Sequence, residues 1–336
     1  MLLRFLIIFS VSASTPTYAM HLVPLSESGA ILYYNAPAAI AVGATVYASW
    51  ISGRGEATLA KIKNRKVVKQ AVIHRYDSTD DHAAPSIISA HSAILFATAH
   101  HSSDLFVYRV SKMSLSAKLM CHLSGSFSYP RWTQIGGKTL LFIRTDGNGA
   151  GDLSVIEVSR NGCLPPKTIL SADKGDWLYV TIPSVFDDRI WFAWSIYNQK
   201  RARHEGVFAT SFDKRFNRRD YTLRQRSDSG PELLAWSIRR GAVEYVEFTG
   251  TMECCGIGSQ QMVTSDLSGR IRHSTIKRRM PLYPSWSNIP SKCGNGGLPF
   301  QSQPIAGSVA GMIGSEILSI RHKTKVFDSS VFLCVR

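Results

Sequence analysis

The stretch AILFATAHHSSDLFVYRV, residues 93–110, holds two short apolar runs separated by a polar cluster. The runs at 93–98 and 105–110 are rich in β-branched and aromatic residues, which favours strands, and the His, Ser and Asp residues between them favour a turn. The stretch therefore predicts an antiparallel strand pair. Similar pairs recur along the chain at 44–50 with 57–62, 139–144 with 153–158, 189–194 with 206–211, and 242–246 with 261–265.

The spacing of these pairs predicts the fold. Their first strands begin near residues 46, 94, 139, 189 and 242, so the repeat is about 45 to 53 residues long. Repeats of about 40–50 residues made of short strands are typical of propeller blades. The chain has room for six or seven such units, and we predict an all-β propeller with seven blades of four antiparallel strands. A β-sandwich is the alternative, but it does not explain the near-constant spacing.

Composition narrows the class of protein. The 336 residues are 44% hydrophobic and 19% charged, which excludes a disordered chain, and the 25 glycines argue against a coiled coil. The net charge of +15 predicts an anionic partner. The basic runs lack the interleaved aromatic residues of a nucleic-acid stacking surface. We therefore expect an acidic polysaccharide as partner, no nucleic acid, no membrane, and a monomer. The basic clusters are Lys200, Arg201, Arg203, Lys214, Arg215, Arg218, Arg219, Arg224 and Arg226, and then Arg270, Arg272, Lys277, Arg278 and Arg279.

The first residues have the pattern of a signal peptide. Arg4 precedes an apolar run at 5–11, and Thr17-Tyr18-Ala19 places small residues where a signal peptidase cleaves. The apolar run is too short to span a bilayer. We expect residues 1–19 to be removed, residues 20–336 to form a single propeller domain, and the protein to be secreted or periplasmic. A buried N-terminal strand is the alternative.

The cysteines predict disulfides if the chain is exported. There are six of them, an even number, and an oxidising compartment favours their pairing. Cys121 and Cys163 follow successive strand pairs, which makes them the favoured pair. A zinc site formed by Cys254 or Cys255 with Cys293 and a histidine is the alternative, although the C-x-x-C spacing is missing.

Residues 146–152, DGNGAGD, place oxygen ligands at alternate positions, as calcium loops do. The segment lacks the distal Glu of an EF-hand and lies between two strands, which favours a hairpin turn. We expect that no cofactor is required. The sequence does not decide whether a structural zinc or calcium ion is bound.

Polar and aromatic residues stand where the innermost strands of successive blades begin or end. In a propeller these positions face the axial cleft, so residues far apart in sequence meet there. The candidate catalytic residues are His82, His100, Tyr129, Arg144 and Tyr179.

This set suits β-elimination from a uronate. Removing the C5 proton builds negative charge on the sugar carboxylate, which an arginine holds bidentately. A neutral histidine or a tyrosine can take the proton, and another can protonate the leaving oxygen. Glycoside hydrolysis needs two facing carboxylates, whereas Asp80 and Asp81 are adjacent and would point to opposite sides of a strand.

These residues also resemble a known family. The strings D-D-H-x-x-P at 80–85, T-x-H at 98–100, Y-P at 129–130, a strand ending at Arg144, and W-x-Y at 177–179 resemble the BNR-4 repeat proteins. That family includes the seven-bladed ulvan lyases of polysaccharide lyase families 24 and 25. The resemblance implies a propeller, uronate β-elimination, and catalytic roles for the five candidates. The chain departs from the family at Ala83, Ala99 and Trp177-Leu178.

Several assignments stay open at this point. His100 and His101 are adjacent, and we favour His100 as catalytic because it closes the T-x-H string, with His101 binding substrate. Trp132 and Trp177 are candidates for stacking on a sugar ring. Arg144 has an alternative role as the partner of Asp146 in its own loop.

The remaining tryptophans, Trp50, Trp191, Trp194 and Trp236, are expected to pack between strands. A non-catalytic carbohydrate-binding propeller and a glycoside hydrolase on the same fold are the alternative functions.

Overall fold

A computed structural model describes the chain from residue 21 to residue 335, except for residues 33, 148, 225–231, 240–241, 251–256, 282–299, 305–315 and 322–328. The expected signal peptide and the candidate zinc ligands Cys254, Cys255 and Cys293 lie outside the described residues. In the described part of the chain no helix is long and apolar enough to cross a membrane.

The described residues form 26 strands and a single turn of 3-10 helix, Asp81–Ala83. The first strands are β1 (His21–Ser26), β2 (Gly29–Ala30), β3 (Ala39–Val42), β4 (Thr45–Ser52), β5 (Glu56–Lys63), β6 (Lys66–Arg75), β7 (Ser86–Ala90), β8 (Ala93–Ala99), β9 (Ser103–Ser111), β10 (Ala117–Ile135), β11 (Lys138–Gly147), β12 (Ala150–Ser159) and β13 (Gly162–Cys163). The others are β14 (Lys167–Leu170), β15 (Asp176–Val180), β16 (Ser184–Phe186), β17 (Arg189–Asn198), β18 (Arg203–Asp213), β19 (Arg218–Arg224), β20 (Glu232–Arg239), β21 (Ala242–Gly250), β22 (Ile257–Asp266), β23 (Ile271–Pro281), β24 (Phe300–Pro304), β25 (Glu316–Arg321) and β26 (Ser329–Val335).

All five predicted strand pairs are present as antiparallel neighbours: β4 with β5, β8 with β9, β11 with β12, β17 with β18, and β21 with β22. Each belongs to a four-stranded antiparallel unit, and the predicted all-β propeller is confirmed. Residues 117–123 of β10 pair with β9 and residues 127–135 pair with β11, so one long strand serves two adjacent blades. The described residues contain six four-stranded units, so the expectation of seven blades is not confirmed.

The sixth unit joins the two ends of the described chain. β1 pairs antiparallel with β26, so that His21 lies opposite Val335, and β25 and β24 complete the sheet. Val23, Leu25, Val331 and Leu333 from this sheet are buried in the same core cluster as Trp50. The first and last strands therefore hold each other in place through backbone hydrogen bonds and apolar contacts.

The direction of the strands decides where side chains collect. β8 and β11 finish at one end of their sheets, while β7, β10 and β12 finish at the other end. The residues that follow β8, finish β11 or precede β7 therefore share one end, which we call the upper end. The turns after β7, β10 and β12 lie at the opposite, lower end.

A disulfide between Cys121 in β10 and Cys163 in β13 links two adjacent blades, which confirms the favoured pairing. Its Cα atoms are 6.0 Å apart and the residues are 42 positions apart in sequence. Closing a loop of this length restricts the unfolded chain. We expect C121S/C163S to lower the free energy of unfolding by about 2–4 kcal/mol in urea denaturation. A reductant should lower the wild-type stability similarly, and an unchanged midpoint in the double variant would contradict this role.

Candidate active site

His82 lies in the 3-10 turn that precedes β7. The Asp80 carboxylate caps this turn by accepting the His82 backbone N–H at 2.9 Å, and Asp80 Oδ1 also lies 2.5 Å from His82 Nδ1. Asp81 Oδ1 lies 3.1 Å from the same nitrogen. The expectation that Asp80 and Asp81 point to opposite sides is therefore wrong, because they occupy a turn and not a strand. Both carboxylates converge on one imidazole.

This pairing fixes the charge of His82. Burial alone would lower its pKa, but the hydrogen bonds and negative charges of Asp80 and Asp81 outweigh burial and raise the pKa to about 9. For Asp80, burial acts to raise the pKa, but the hydrogen bonds and charge of His82 hold it below its usual range. His82 is thus an imidazolium at neutral pH, and its side chain is 32% exposed. It is a cation there and not a free base.

The two adjacent histidines occupy the turn between β8 and β9 and point to different partners. His101 Nε2 lies 3.2 Å from Arg144 Nη2, and the His101 ring centroid lies 4.5 Å from that of His82. His100 Nε2 instead lies 3.1 Å from Ser78 Oγ, and its ring packs beside Tyr76. His101 and not His100 contacts Arg144, whereas His100 Nε2 lies 3.7 Å from Asp80 Oδ2, so the preference for His100 as the catalytic histidine stays a prediction.

His101 is neutral. Burial and then the positive charges of His82 and Arg144 together lower its pKa to about 4. A guanidinium only donates hydrogen bonds, so His101 Nε2 accepts from Arg144 and the ring proton is assigned to Nδ1. The cluster thus holds one charged and one neutral imidazole side by side.

Arg144 lies near the upper end of β11 and is 1% exposed. Its Nε donates to Asp146 Oδ1 at 2.5 Å and its Nη2 donates to Asp146 Oδ2 at 3.1 Å. Pairing of Arg144 with Asp146, the alternative considered from the sequence, is confirmed. Ser102 and Ser128 hydroxyls also donate to Asp146 Oδ2, which fixes the carboxylate. The buried Nη1 of Arg144 has no hydrogen-bond partner within the described residues.

Three aromatic rings surround the guanidinium. Arg144 Cζ lies 4.5 Å from the ring centroid of Tyr129, 4.8 Å from that of Trp177 and 5.2 Å from that of Tyr179. Contacts of this kind stabilise a desolvated cation. Gly151 permits them, since a Cβ there would lie 2.9 Å from Trp177 Cδ1 and 3.1 Å from Arg144 Cδ. A larger residue at position 151 would displace Trp177 or Arg144.

Tyr129 is positioned by a bulge in β10. The pairing of β10 with β11 shifts between Ser128 and Arg131, and Tyr129, which precedes Pro130, has φ +62°. A bulge bends its strand and redirects a side chain, here beneath Arg144. Burial raises the pKa of Tyr129 well above its usual value, with a smaller contribution from Tyr179, whose ring centroid lies 5.9 Å away. Tyr129 therefore keeps its proton in the resting protein.

The structure brings together four of the five candidate catalytic residues and two of the candidate substrate-binding residues. We call this group the Arg144 cluster, and its members are His82, His101, Tyr129, Arg144, Trp177 and Tyr179. Arg144 and Tyr129 form its buried floor, whereas the other members are partly exposed. The cluster can bind an anionic group, and it holds neutral and charged groups suited to proton transfer.

Comparison with known proteins places the chain in a family. A family model described as "BNR repeat-containing family member" matches residues 45–230, more than half of the sequence. The chain belongs to this family. No curated protein matches the sequence of this BNR-repeat protein.

Solved structures share its fold. An ulvan lyase of polysaccharide lyase family 25, bound to -[GlcA(1-4)Rha3S]-, has a TM-score of 0.60 at 8% identity, covering 93% of this chain and 95% of the lyase. An α-L-arabinanase of Penicillium chrysogenum has a TM-score of 0.52 at 9% identity, covering 93% and 98%. An α-L-arabinofuranosidase of Fusarium graminearum has a TM-score of 0.51 at 9% identity, covering 94% and 98%. At these identities the likeness shows the fold alone.

The site of the BNR-repeat protein also contains residues that the sequence did not single out. The Tyr34 ring lies 5.1 Å from Tyr129 and 5.2 Å from Tyr179, and the buried His204 ring lies 4.9 Å from Tyr179. Tyr197 lies opposite His204 at the upper end of the β17–β18 hairpin. The upper end of this hairpin corresponds to the turn after β8 that holds His101, two strand pairs earlier. The repeat of strand pairs in the sequence could therefore have pointed to Tyr197 and His204. Tyr34 precedes the first repeat and carried no such signal.

Most of the candidate tryptophans are buried in the core, and Trp177 lies in the Arg144 cluster. Trp132 is 2% exposed, donates its Nε1–H to the Ser86 carbonyl at 3.1 Å and belongs to a buried cluster. Its expected contact with a sugar ring is therefore wrong, because no face of the indole is open. Trp177 is partly exposed beside Arg144 and keeps that candidate role. The expected packing roles are confirmed for Trp50, Trp191, Trp194 and Trp236, all of them buried.

Two segments of the BNR-repeat protein bear on metal binding. The segment considered as a calcium loop is a hairpin, with Gly147 paired to Ala150, and its Asp146 is occupied by Arg144. Asp80, Asp81 and His82 place ligand atoms within 4.8 Å of one another, a set able to hold a cation. In this structure the Asp80 and Asp81 carboxylates pair with the His82 imidazolium, which balances part of their negative charge.

Proposed function

We propose that the protein is an exported polysaccharide lyase that cleaves a uronate-containing acidic polysaccharide by β-elimination. The observation that carries the proposal is the buried Arg144 guanidinium, with one nitrogen unpartnered, next to a charged imidazole, a neutral imidazole and two phenols. Membership of the BNR-repeat family and the fold likeness to an ulvan lyase support it.

In the proposed complex the uronate carboxylate lies between Arg144 and His82. Arg144 Nη1 supplies an unused donor from the floor of the cluster, and the partly exposed imidazolium of His82 faces it from the rim. Both cations become more effective as negative charge builds on the carboxylate during removal of the C5 proton, because they act in a partly desolvated site. Trp177 offers a ring face to the sugar.

The proton transfers follow from the charge states. His101 is neutral, so its Nε2 takes the C5 proton once Arg144 Nη2 turns to the substrate carboxylate. The C–H electron pair forms the C4–C5 double bond, and the C4–O4 bond breaks. One of the neighbouring phenols of Tyr129 and Tyr179 donates its proton to the leaving oxygen. The products are a 4,5-unsaturated uronate end and a new hydroxyl end.

The paired state of the nearby carboxylates argues against glycoside hydrolysis. A hydrolase needs one carboxylic acid and one free carboxylate across the scissile bond. Asp80 and Asp81 are bound to His82, and Asp146 is bound to Arg144. These three carboxylates are therefore committed to the two cations.

The deciding experiment is incubation of the protein with ulvan and with other uronate polymers. We expect a rise in near-ultraviolet absorbance from the 4,5-unsaturated product. New saturated reducing ends without absorbance would indicate a hydrolase, and polymer binding without either signal would indicate a non-catalytic binding propeller. Either result would overturn the lyase proposal.

Export is part of the proposal, and the disulfide supports it, because such bonds persist in oxidising compartments. The expected monomer and the absence of nucleic-acid and membrane partners stay predictions.

A further inference from the structure

We propose that a groove at the lower end of the propeller binds a second anionic saccharide unit, away from the Arg144 cluster. A pocket of about 230 Å³ lies there between the blade of β7–β10 and the blade of β10–β14. Its walls come from the turn after β7, from β9 and β10, from the turn before β11, and from the end of β12. Because these turns lie at the lower end, the groove and the Arg144 cluster occupy opposite ends of the same strands.

The charge of the groove favours an anion. Arg109, Lys138 and Arg160 line it together with a single acid, Glu157. Lys138 Nζ pairs with Glu157 Oε2 at 2.8 Å, which balances that acid. Arg109 and Arg160 have no carboxylate partner in the part of the chain that the structure describes. Two uncompensated guanidiniums therefore face one small pocket.

The register of the strands adds a further cation nearby. Lys118 of β10 lies directly opposite Arg109 of β9, and it is exposed. Like charges placed opposite each other on neighbouring strands are destabilising unless an anion lies between or near them. A bound carboxylate or sulfate would relieve this repulsion.

The Cys121–Cys163 disulfide holds the two walls together. Met120 lines the groove and is adjacent to Cys121, while Cys163 pairs in register with Val158, which lines the other wall. The covalent link therefore joins the two blades that form the groove. A site whose walls are already fixed loses less conformational freedom on binding.

The size of the pocket limits the ligand. It is smaller than the pockets of about 300–1,000 Å³ that enclose drug-sized molecules. It therefore suits one charged sugar unit of a longer chain that continues over the surface. Arginine recognises carboxylate and sulfate oxygens through paired N–H donors, so the proposed ligand is a sugar carrying either group. This inference does not depend on the proposed lyase activity.

The test compares R109A/R160A with the matched control K66A/K69A in the full chain. The control removes the same charge from exposed positions on β6. Calorimetric titration uses three polymers: a uronate polymer without sulfate, a sulfated polymer without uronate, and an uncharged polymer. We expect R109A/R160A to weaken binding of at least one anionic polymer by roughly tenfold. The control K66A/K69A should weaken binding of the same polymer by less than about twofold.

The three polymers distinguish the sources of charge. Loss with the uronate polymer alone assigns a carboxylate, and loss with the sulfated polymer alone assigns a sulfate. Equal loss in both variants would show nonspecific attraction and overturn the proposal, as would no loss in either. Because the readout is binding and not cleavage, failure of the lyase proposal would leave this result interpretable.

Discussion

The double variant R144Q/D146N is expected to lose uronate cleavage by roughly a hundred- to a thousandfold in kcat. The guanidinium holds the carboxylate on which charge develops, and a neutral amide cannot replace that charge. Changing both partners is essential, because removing Arg144 alone would leave Asp146 buried and unpaired, which costs about 3–5 kcal/mol of stability. Asn keeps the shape of Asp, and Gln, although shorter than Arg, supplies a neutral amide that can hydrogen-bond to it. The measurement is initial rate from product absorbance, alongside thermal unfolding.

A matched control is R189Q. Arg189 is also partly buried and hydrogen-bonded, through Ser211 and Asn217, but it lies in another blade, away from the cluster. We expect its activity to stay within about twofold of wild type, because no charge near the substrate changes. Full activity in a folded R144Q/D146N protein would show that Arg144 is only structural.

The second large effect concerns pH. His101 must be neutral and His82 charged in the proposed mechanism, so kcat/KM should rise through a pKa of about 4 and fall through a pKa of about 9. Replacing Asp80 by Asn removes one of the charges that raise the His82 pKa. The alkaline limb should then move down by about one to two pH units, so that activity at pH 8.5 falls by about three- to twentyfold.

Asn also caps helical turns, so D80N should preserve the turn that holds His82. D77N is the control, because Asp77 is exposed and its charge lies outside the pair. Its pH profile should match that of wild type. An unmoved alkaline limb in D80N would remove His82 from the mechanism.

The same pair gives a readout that does not need activity. Because the pKa of His82 is raised in the folded state, its contribution to stability is complete below about pH 6.5 and is lost as pH rises through about 9. In D80N that alkaline loss of stability should be smaller and should be complete at lower pH, because only the folded-state pKa changes.

The fold was predictable from sequence because each blade repeats one strongly apolar hairpin at near-constant spacing. Those hairpins, such as β8–β9 and β17–β18, form wherever β-branched and aromatic residues alternate with turn residues. The number of blades was less predictable. One long strand, β10, serves two blades, and two short strands, β15 and β16, together pair along β17. The number of strands in the sequence therefore does not give the number of blades by simple division.

The site was predictable in membership but not in detail. Arg144, Tyr129 and Tyr179 converge because each stands at the upper end of a strand, which the hairpin pattern already implies. The choice between His100 and His101 depends on a short turn whose torsions the sequence pattern does not specify. The convergence of Asp80 and Asp81 depends on a 3-10 turn where alternation of a strand was assumed. Trp132 was misplaced because closeness in sequence to Tyr129 says nothing about which face of the bulged strand it occupies.

The pairing of β1 with β26 has a consequence for synthesis. The sheet that these strands share cannot be completed until the ribosome has made almost the whole described chain, so β1 must wait unpaired while the other blades form. Bringing such distant segments together adds little to the equilibrium cost, which grows only with the logarithm of the intervening length, but it makes this contact a late event. During that interval the exposed edge of β1 is open to pairing with another nascent chain.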